Sequence, residues 1–269
     1  MKQYNIVNNN QHGGGNIIVL SYNVSWEAMT SKTEGIFKLC KSDNSKDGIC
    51  KMNILTNISN NIKKYEPDLI TFQEASEYKD IINLFEPTIY DYHINKSDKE
   101  MMLSLWNKKK YSIVDFYDYE FEKGRPFTII ILKNKIKNKN IALINLHSGH
   151  YINTEKTIFD IINNFIKDNI KLSIKKTVNR VIMSGDFNRN VYEDETSEYK
   201  IKFYDEFQLK RFKNTKQTCC SINGYGYTNI YDHVIDSKAI VEKKILGNSV
   251  KSYKIPSSDH ILIIAKLKN

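Results

Sequence analysis

Short apolar runs that stop abruptly at a polar or charged side chain constrain this chain more than any other feature. Runs rich in isoleucine and valine recur at 17–23, 68–73, 101–106, 111–116, 127–132, 141–147, 180–185, 230–235 and 260–267. Their length and β-branched content read as strands buried on one or both faces. Two stretches between them repeat apolar residues at helical spacing. One covers 51–65, with Ile54, Leu55, Ile58, Ile62 and Tyr65 on one face and Pro67 as its stop. The other covers 154–170, with Ile158, Ile161, Ile162, Phe165 and Ile166 as the stripe and Asn153 or Thr154 as the cap. Hairpin-like strand runs mixed with helices predict an α/β sandwich with mixed sheets rather than a simple parallel wind. No short-period repeat or break in composition divides 17–269, which reads as one domain. Residues 1–16 read as a flexible lead-in. Gly13, Gly14 and Gly15 precede a strand rather than a helix N-terminus, which argues against a phosphate-binding loop.

The strand endings carry the chemistry. They are SYN (Asn23), ITFQE (Gln73, Glu74), INLH (Asn145, His147), MSGDFN (Asp186, Asn188), IYDH (Asp232, His233) and SSDH (Asp259, His260). One such ending caps a turn. Six in one chain predict side chains presented together at a sheet rim, where open α/β sheets hold their ligands. The residue types suit phosphodiester cleavage, which needs a metal against the phosphate charge, a positioned water and help for the leaving oxygen. Magnesium prefers oxygen ligands and often takes only one or two carboxylates from the protein. Glu74 with Asn23 fits that, with Asp259 as a further contact. The histidines suit proton or hydrogen-bond donation to the phosphate, given carboxylate partners to fix their tautomer. No helix gathers His and Cys, so a zinc site fits poorly.

The net charge of +9 favours a polyanionic partner such as nucleic acid. Lys108, Lys109 and Lys110 are the first candidates to meet it, and Lys133, Lys135, Lys137 and Lys139 form a second run that reads equally well as a solvated turn. Over-use of lysine, asparagine and isoleucine also points to an AT-rich coding sequence. The four cysteines, Cys40, Cys50, Cys219 and Cys220, include no C-x-x-C pair. Reduced thiols are the expectation, with a bridge from Cys40 to Cys50, or from either to the later pair, left open. No apolar run reaches the ~20 residues of a membrane-spanning helix. Together with an N-terminus lacking an apolar stretch, this reads as a soluble, intracellular, monomeric protein.

The order SYN…QE…LHS…GDFN…YDH…SDH resembles the signature of the endonuclease/exonuclease/phosphatase superfamily and covers residues 17–267. The resemblance implies a four-layer α/β sandwich, two mixed sheets face to face with helices outside. It implies that Asn23 and Glu74 form the magnesium site, with manganese as the substitute ion, and that Asp259 reaches the metal. Asp186 would orient or deprotonate the attacking water, and Asn188 would hold that water and the phosphate. His260 would contact the phosphate with Asp232 as its carboxylate partner. Within the superfamily the chain is most similar to deoxyribonuclease I-like enzymes and the nuclease subunits of cytolethal distending toxins. The stretch KEMMLSLWNKKKYSIVDFYDY then supplies Glu100 as partner to His147. Arg125 of GRPF, Asn145 of INLHS and Arg189 of GDFNR are the expected phosphate contacts. The implied activity is magnesium-dependent hydrolysis of DNA or RNA. The alternatives are a 5′-tyrosyl-DNA phosphodiesterase-like enzyme, a sphingomyelinase or a nucleotide phosphatase. A catalytically inactive interaction module is the remote alternative, opposed by the intact set of site residues. The segment TSKTEGIFKLCKSDNSKDGIC departs from the deoxyribonuclease pattern, and Glu27 and Glu34 read as surface residues. His150 and His233 read as bystanders, and His12 and His93 belong to no constellation.

Overall fold

The computed structural model describes residues 15–30, 48–97, 100–149, 158–171, 174, 177–188, 218–219, 231–237, 240–246 and 258–268. The first half runs β1 (Ile17–Asn23), α1 (Trp26–Met29), α2 (Ile49–Tyr65), β2 (Leu69–Gln73), α3 (Tyr78–Ile82), β3 (Tyr90–Asn95) and β4 (Met102–Asn107). The second runs β5 (Tyr111–Glu122), β6 (Arg125–Asn134), β7 (Lys139–His147), α4 (Ile158–Asn169), β8 (Val178–Asp186), β9 (Asp232–Asp236), β10 (Ile240–Leu246) and β11 (Leu262–Leu267). Six strands form one sheet in the order β10-β11-β1-β2-β4-β3, and five form the other in the order β5-β6-β7-β8-β9. Each sheet holds one parallel pair, β1 with β2 and β7 with β8, among antiparallel neighbours. Both are therefore mixed sheets, as expected.

Alternation along the strands builds three apolar layers, because successive side chains leave a strand on opposite faces. Between the sheets lie Ile17, Val19, Leu69, Trp106, Ile130, Leu143, Ile182, Val234 and Ile263 among others. On the outer face of the six-stranded sheet, Leu20, Tyr22, Ile70 and Phe72 meet Ile54 and Ile58 of α2. On the outer face of the five-stranded sheet, Ile129, Ile131, Ile144 and Met183 meet Ile162 and Phe165 of α4. The result is the expected four-layer sandwich. Ile54 and Ile58 are fully buried, each worth roughly 1.5–3 kcal/mol of apolar burial. Helix α2 stops where Glu66 turns left-handed, one residue before Pro67.

The inner faces change character along their length, and this positions the site. On β1 the inward residues run Ile17, Val19, Ser21, Asn23; on β2, Leu69, Thr71, Gln73; on β7, Ile141, Leu143, Asn145, His147; on β8, Ile182, Ser184, Asp186. The dry core thus gives way first to hydroxyls and amides, then to charge. In the middle layer the Thr71 hydroxyl donates to Ser21 Oγ at 3.1 Å and lies 2.8 Å from Ser184 Oγ. Gln73 Nε2 donates to Asn145 Oδ1 at 2.8 Å, across the two sheets. These pairings satisfy polar groups that would otherwise cost free energy in a buried seam.

Candidate active site

At the rim of the seam the strand ends bring together Asn23, Glu74, Glu100, His147, Asp186, Asp232 and His260. Asp186 is the centre. Its Oδ2 accepts from Asn23 Nδ2 at 3.0 Å and lies 3.5 Å from His147 Nε2 and 3.6 Å from His260 Nε2. Each histidine is held from behind by its own carboxylate. His147 Nδ1 is 2.7 Å from Glu100 Oε2, and His260 Nδ1 is 3.0 Å from Asp232 Oδ2. Glu74 Oε1 accepts from Asn23 Nδ2 at 3.0 Å and lies 3.7 Å from His147 Nε2, while its Oε2 accepts from the Trp26 N–H at 3.0 Å. Arg125 Nη1 lies 3.3 Å from Glu100 Oε1 and 2.9 Å from His147 Nε2.

Backbone geometry aims these groups. Gly185 has φ +145°, and a Cβ there would meet Leu146 O at 2.0 Å. Only glycine allows β8 to approach β7 so closely, and that approach sets Asp186 beside His147 in the register. Three residues at the site adopt left-handed backbone: Ser25 (φ 58°), Glu74 (φ 54°) and Asn188 (φ 50°). Such conformations are costly outside glycine and gather at functional sites. At Asn188 the turn lets its own N–H donate to Asp186 Oδ1 at 2.8 Å, and its Nδ2 donates to Ser148 O at 2.6 Å.

Electrostatics divide the carboxylates. Burial pushes Glu74 up to about 7, helped by the negative charges of Glu100 and Asp259 and opposed by His147. Burial also acts to raise Asp186, but the charges of His260 and His147 outweigh it and hold that carboxyl below its ordinary range. Burial raises Asp232 despite its pairing with His260. Both histidines are raised: burial works against their charge, but His147 gains more from Glu100, Asp186 and Glu74, and His260 from Asp232, Asp186 and Asp259. The neighbouring carboxylates thus favour the protonated form of both histidines, the histidines favour the ionised form of Asp186, and burial favours the protonated form of Glu74.

Two groups are placed to hold a metal ion, Glu74 with Glu100 and His147, and Asp186 with Asp232 and His260. Glu74 suits a hard divalent cation best, because a buried carboxylate crowded by other carboxylates lacks positive charge. Asn23 presents Nδ2 to the carboxylates while its Oδ1 accepts from the Ser25 N–H at 3.0 Å. As arranged it bridges Glu74 and Asp186 as a donor, and ligation through Oδ1 requires the amide to turn over. Asp259 is half-buried and close enough to act on both Glu74 and His260.

Four expectations are corrected. Asn145 does not reach the cleft: it is fully buried, and its amide donates to Phe72 O, Leu103 O and Ser104 Oγ while accepting from Gln73. It lies on the same face as His147 but one inward step deeper, so it ties the sheets instead of touching phosphate. Lys108, Lys109 and Lys110 follow the end of β4 that points away from the site, because β4 runs antiparallel to β2. They cannot flank a phosphate at the rim. Glu27 is not a simple surface residue. It sits half-buried on α1, where burial and the charges of Asp259 and Glu100 raise its pKa. Cys50 and Cys219 are each disulfide-bonded rather than reduced. Cys219 Sγ lies 3.3 Å from His260 Nε2.

His233 faces away from the site, its ring edge-on to Phe187 at 5.2 Å. His93 pairs with Asp118 outside the catalytic layer. Arg189, His150, Glu34, Asn153 and Thr154 lie outside the described residues. Sequence reasoning missed two orienting hydroxyls. Thr218 Oγ1 accepts from the Asp232 N–H at 3.0 Å, and Ser258 Oγ donates to Asn23 O at 2.7 Å while accepting from the His260 N–H at 3.1 Å. Ser258 opens SDH and was findable there, whereas Thr218 lies too far from Asp232 in sequence to signal itself.

No protein-family model and no curated protein sequence matches the chain. Solved structures do. An endonuclease/exonuclease/phosphatase family protein from Bacteroides thetaiotaomicron aligns with TM-score 0.67 and 19% identity over 95% of this chain and 98% of that one. A mannosyl-6-phosphatase of the same species aligns with TM-score 0.66 and 20% identity over 93% and 99%. TDP2 of D. rerio, complexed with single-strand DNA product, aligns with TM-score 0.63 and 13% identity over 94% and 99%. The chain therefore has the endonuclease/exonuclease/phosphatase fold.

Proposed function

We propose that this chain is a magnesium-dependent phosphodiesterase acting on nucleic acid. The carrying observation is the convergence of His147 Nε2 and His260 Nε2 on Asp186 Oδ2, at 3.5 and 3.6 Å, each imidazole backed by a carboxylate. A phosphodiester in hydrolysis gathers charge on its non-bridging oxygens and on the leaving oxygen. Two cationic imidazoles stabilise that charge, and one of them protonates the leaving group. Asp186 stays ionised between them, and its low basicity suits it to orienting the attacking water. Asn188 fixes Asp186 through its N–H. Arg125, beside His147, supplies a further positive charge toward the phosphate. Magnesium, held by Glu74 with Asn23, would neutralise phosphate charge there. The nucleic-acid assignment is supported by the likeness to a DNA-bound neighbour.

The likeness to a mannosyl-6-phosphatase favours a second reading, hydrolysis of a phosphomonoester. One experiment separates the two. Supercoiled plasmid, a single-stranded oligonucleotide, bis-p-nitrophenyl phosphate and mannose 6-phosphate are each incubated with magnesium and with chelator. Chelator-sensitive cleavage of the nucleic acids and the diester is the expected outcome. Release of phosphate from the monoester alone overturns the nuclease assignment.

A further inference from the structure

The lysine-rich turns excluded from the site sit together at the opposite pole. The turn after β4 carries Lys108 and Lys109. The turn between β6 and β7 carries Lys135 and Lys137, with Lys133 and Lys139 on the flanking strand ends. Tyr111 lies opposite Asn134, and Asn134 opposite Lys139, so the turns are neighbours. Hydrogen bonds lace them into one surface: the Lys135 N–H donates to Lys110 O at 2.9 Å, and the Lys135 ammonium donates to Lys108 O at 2.6 Å. Neither 107–111 nor 133–140 contains an acidic residue. Lys110 is spent on the buried carboxylate of Asp68, at 2.5 Å.

At the tip of the second turn Ile136 is 79% exposed, more than any other large hydrophobic side chain among the described residues. Ile113 and Val114, also exposed, stand on the adjoining start of β5, where Ile113 pairs with Leu132. A lone exposed aliphatic is ordinary. An aliphatic tip ringed by lysines and backed by two more aliphatics has a specific complement. An anionic bilayer takes the aliphatics into the boundary of its acyl region and the ammoniums among its phosphates. Duplex nucleic acid would use the lysines but has no place for the isoleucine. It would also bind roughly 30 Å from the catalytic layer, the length of β6 at ~3.3 Å per residue. We propose that this pole docks the protein on an anionic lipid surface with the catalytic cleft turned toward solution.

The test is co-sedimentation of the full chain with vesicles of phosphatidylcholine alone or with about 30% phosphatidylserine, at about 50 and about 300 mM salt. Binding is expected only with phosphatidylserine and only at low salt. Lys135→Gln and Lys137→Gln are each expected to lower it roughly fivefold. Ile136→Ser should lower it severalfold with no change of charge. All three variants should hydrolyse bis-p-nitrophenyl phosphate at the parent's rate, which separates this result from the fate of the phosphodiesterase reading. Absence of phosphatidylserine-dependent sedimentation overturns the proposal, as does binding indifferent to the variants. Hydrolysis impaired in the pole variants also counts against it. Lysine-dependent capture of an uncleavable phosphorothioate duplex, unaffected by Ile136→Ser and without vesicle binding, would assign the pole to nucleic acid instead.

Discussion

Replacing Glu74 with Gln asks what the acidic pocket costs and what relieves it. The Glu74 carboxyl rises from 4.5 to about 7 on folding, chiefly through burial. A carboxyl raised this way binds its proton more tightly in the folded protein than in the unfolded one. Its effect on stability is therefore nil below about pH 4.5, increasingly unfavourable as pH rises, and constant above about 7. The shift of about 2.5 units, at ~1.4 kcal/mol per unit, makes the ionised metal-free carboxylate a burden of roughly 3 kcal/mol at pH 8. Gln removes the charge at nearly the same size. It also replaces the oxygen that accepts from the Trp26 N–H, a loss of ~1 kcal/mol. Metal-stripped Glu74→Gln should thus be more stable than the parent by roughly 2 kcal/mol at about pH 8, and no more stable near pH 4. Urea unfolding at the two pH values in chelator measures this. Added magnesium should stabilise the parent at the higher pH, because the cation takes the place of the missing proton, and should leave the variant unmoved. A stripped variant less stable than the parent at pH 8, or one that magnesium stabilises equally, would refute the reasoning.

His147→Ala and His260→Ala should each slow turnover of a cleavable oligonucleotide by at least ~10²-fold, and the double variant by less than the product, because on the proposed function both serve one phosphate. Asp232→Asn removes the leading charge that raises His260, so His260 should lose its proton at lower pH. The alkaline limb of the pH–rate profile should move downward, and an unmoved limb would separate Asp232 from that ionisation. Gly185→Ala forces a side chain onto Leu146 O at a φ of +145°; the expected loss is more than roughly 3 kcal/mol, and an unchanged melting temperature would contradict it. Asp236→Asn breaks a buried two-point pair with Arg180, at 2.8 and 2.6 Å. It should cost roughly 3–5 kcal/mol in denaturant unfolding while leaving kcat as it was.

Strand endings make Asn23, Glu74, His147 and Asp186 legible in the sequence, whereas Asp232 begins β9 and His260 precedes β11, so at these two the apolar run follows the polar residue. Period-two alternation told which side chains share a face with Asn23, His147 and Asp186, and the rim placement followed from where each apolar run stopped. Alternation does not report depth, however. Asn145 shares the face of His147, which predicts a phosphate contact, but the residue two places back from a strand end lies under the next layer. Strand direction adds to this: a strand that reaches the site at His147 begins at the far end, which places Lys139 there and its turn with it. Strand β3, YDYHIN, and strand β10, IVEKKIL, escaped notice because each sits at an edge of the six-stranded sheet and needs no apolar run. The short helices α1 and α3 are too brief for helical periodicity to register.

The paired residues of the candidate site share one topological property: their members hang from different sheets. Glu100 precedes β4 and His147 ends β7; His260 precedes β11 and Asp232 begins β9; Asn23 ends β1 and Asp186 ends β8. Neither sheet alone carries a complete proton-handling unit. A slide of one sheet past the other by half a residue, ~1.7 Å, would uncouple both histidines from their carboxylates while every strand kept its hydrogen bonds. The Gln73–Asn145 amide bridge lies one layer beneath and works as a dowel against that shear. On the proposed function, activity depends on the alignment of the two sheets, and mild denaturant or pressure acting on the seam should abolish hydrolysis while the circular dichroism still looks native.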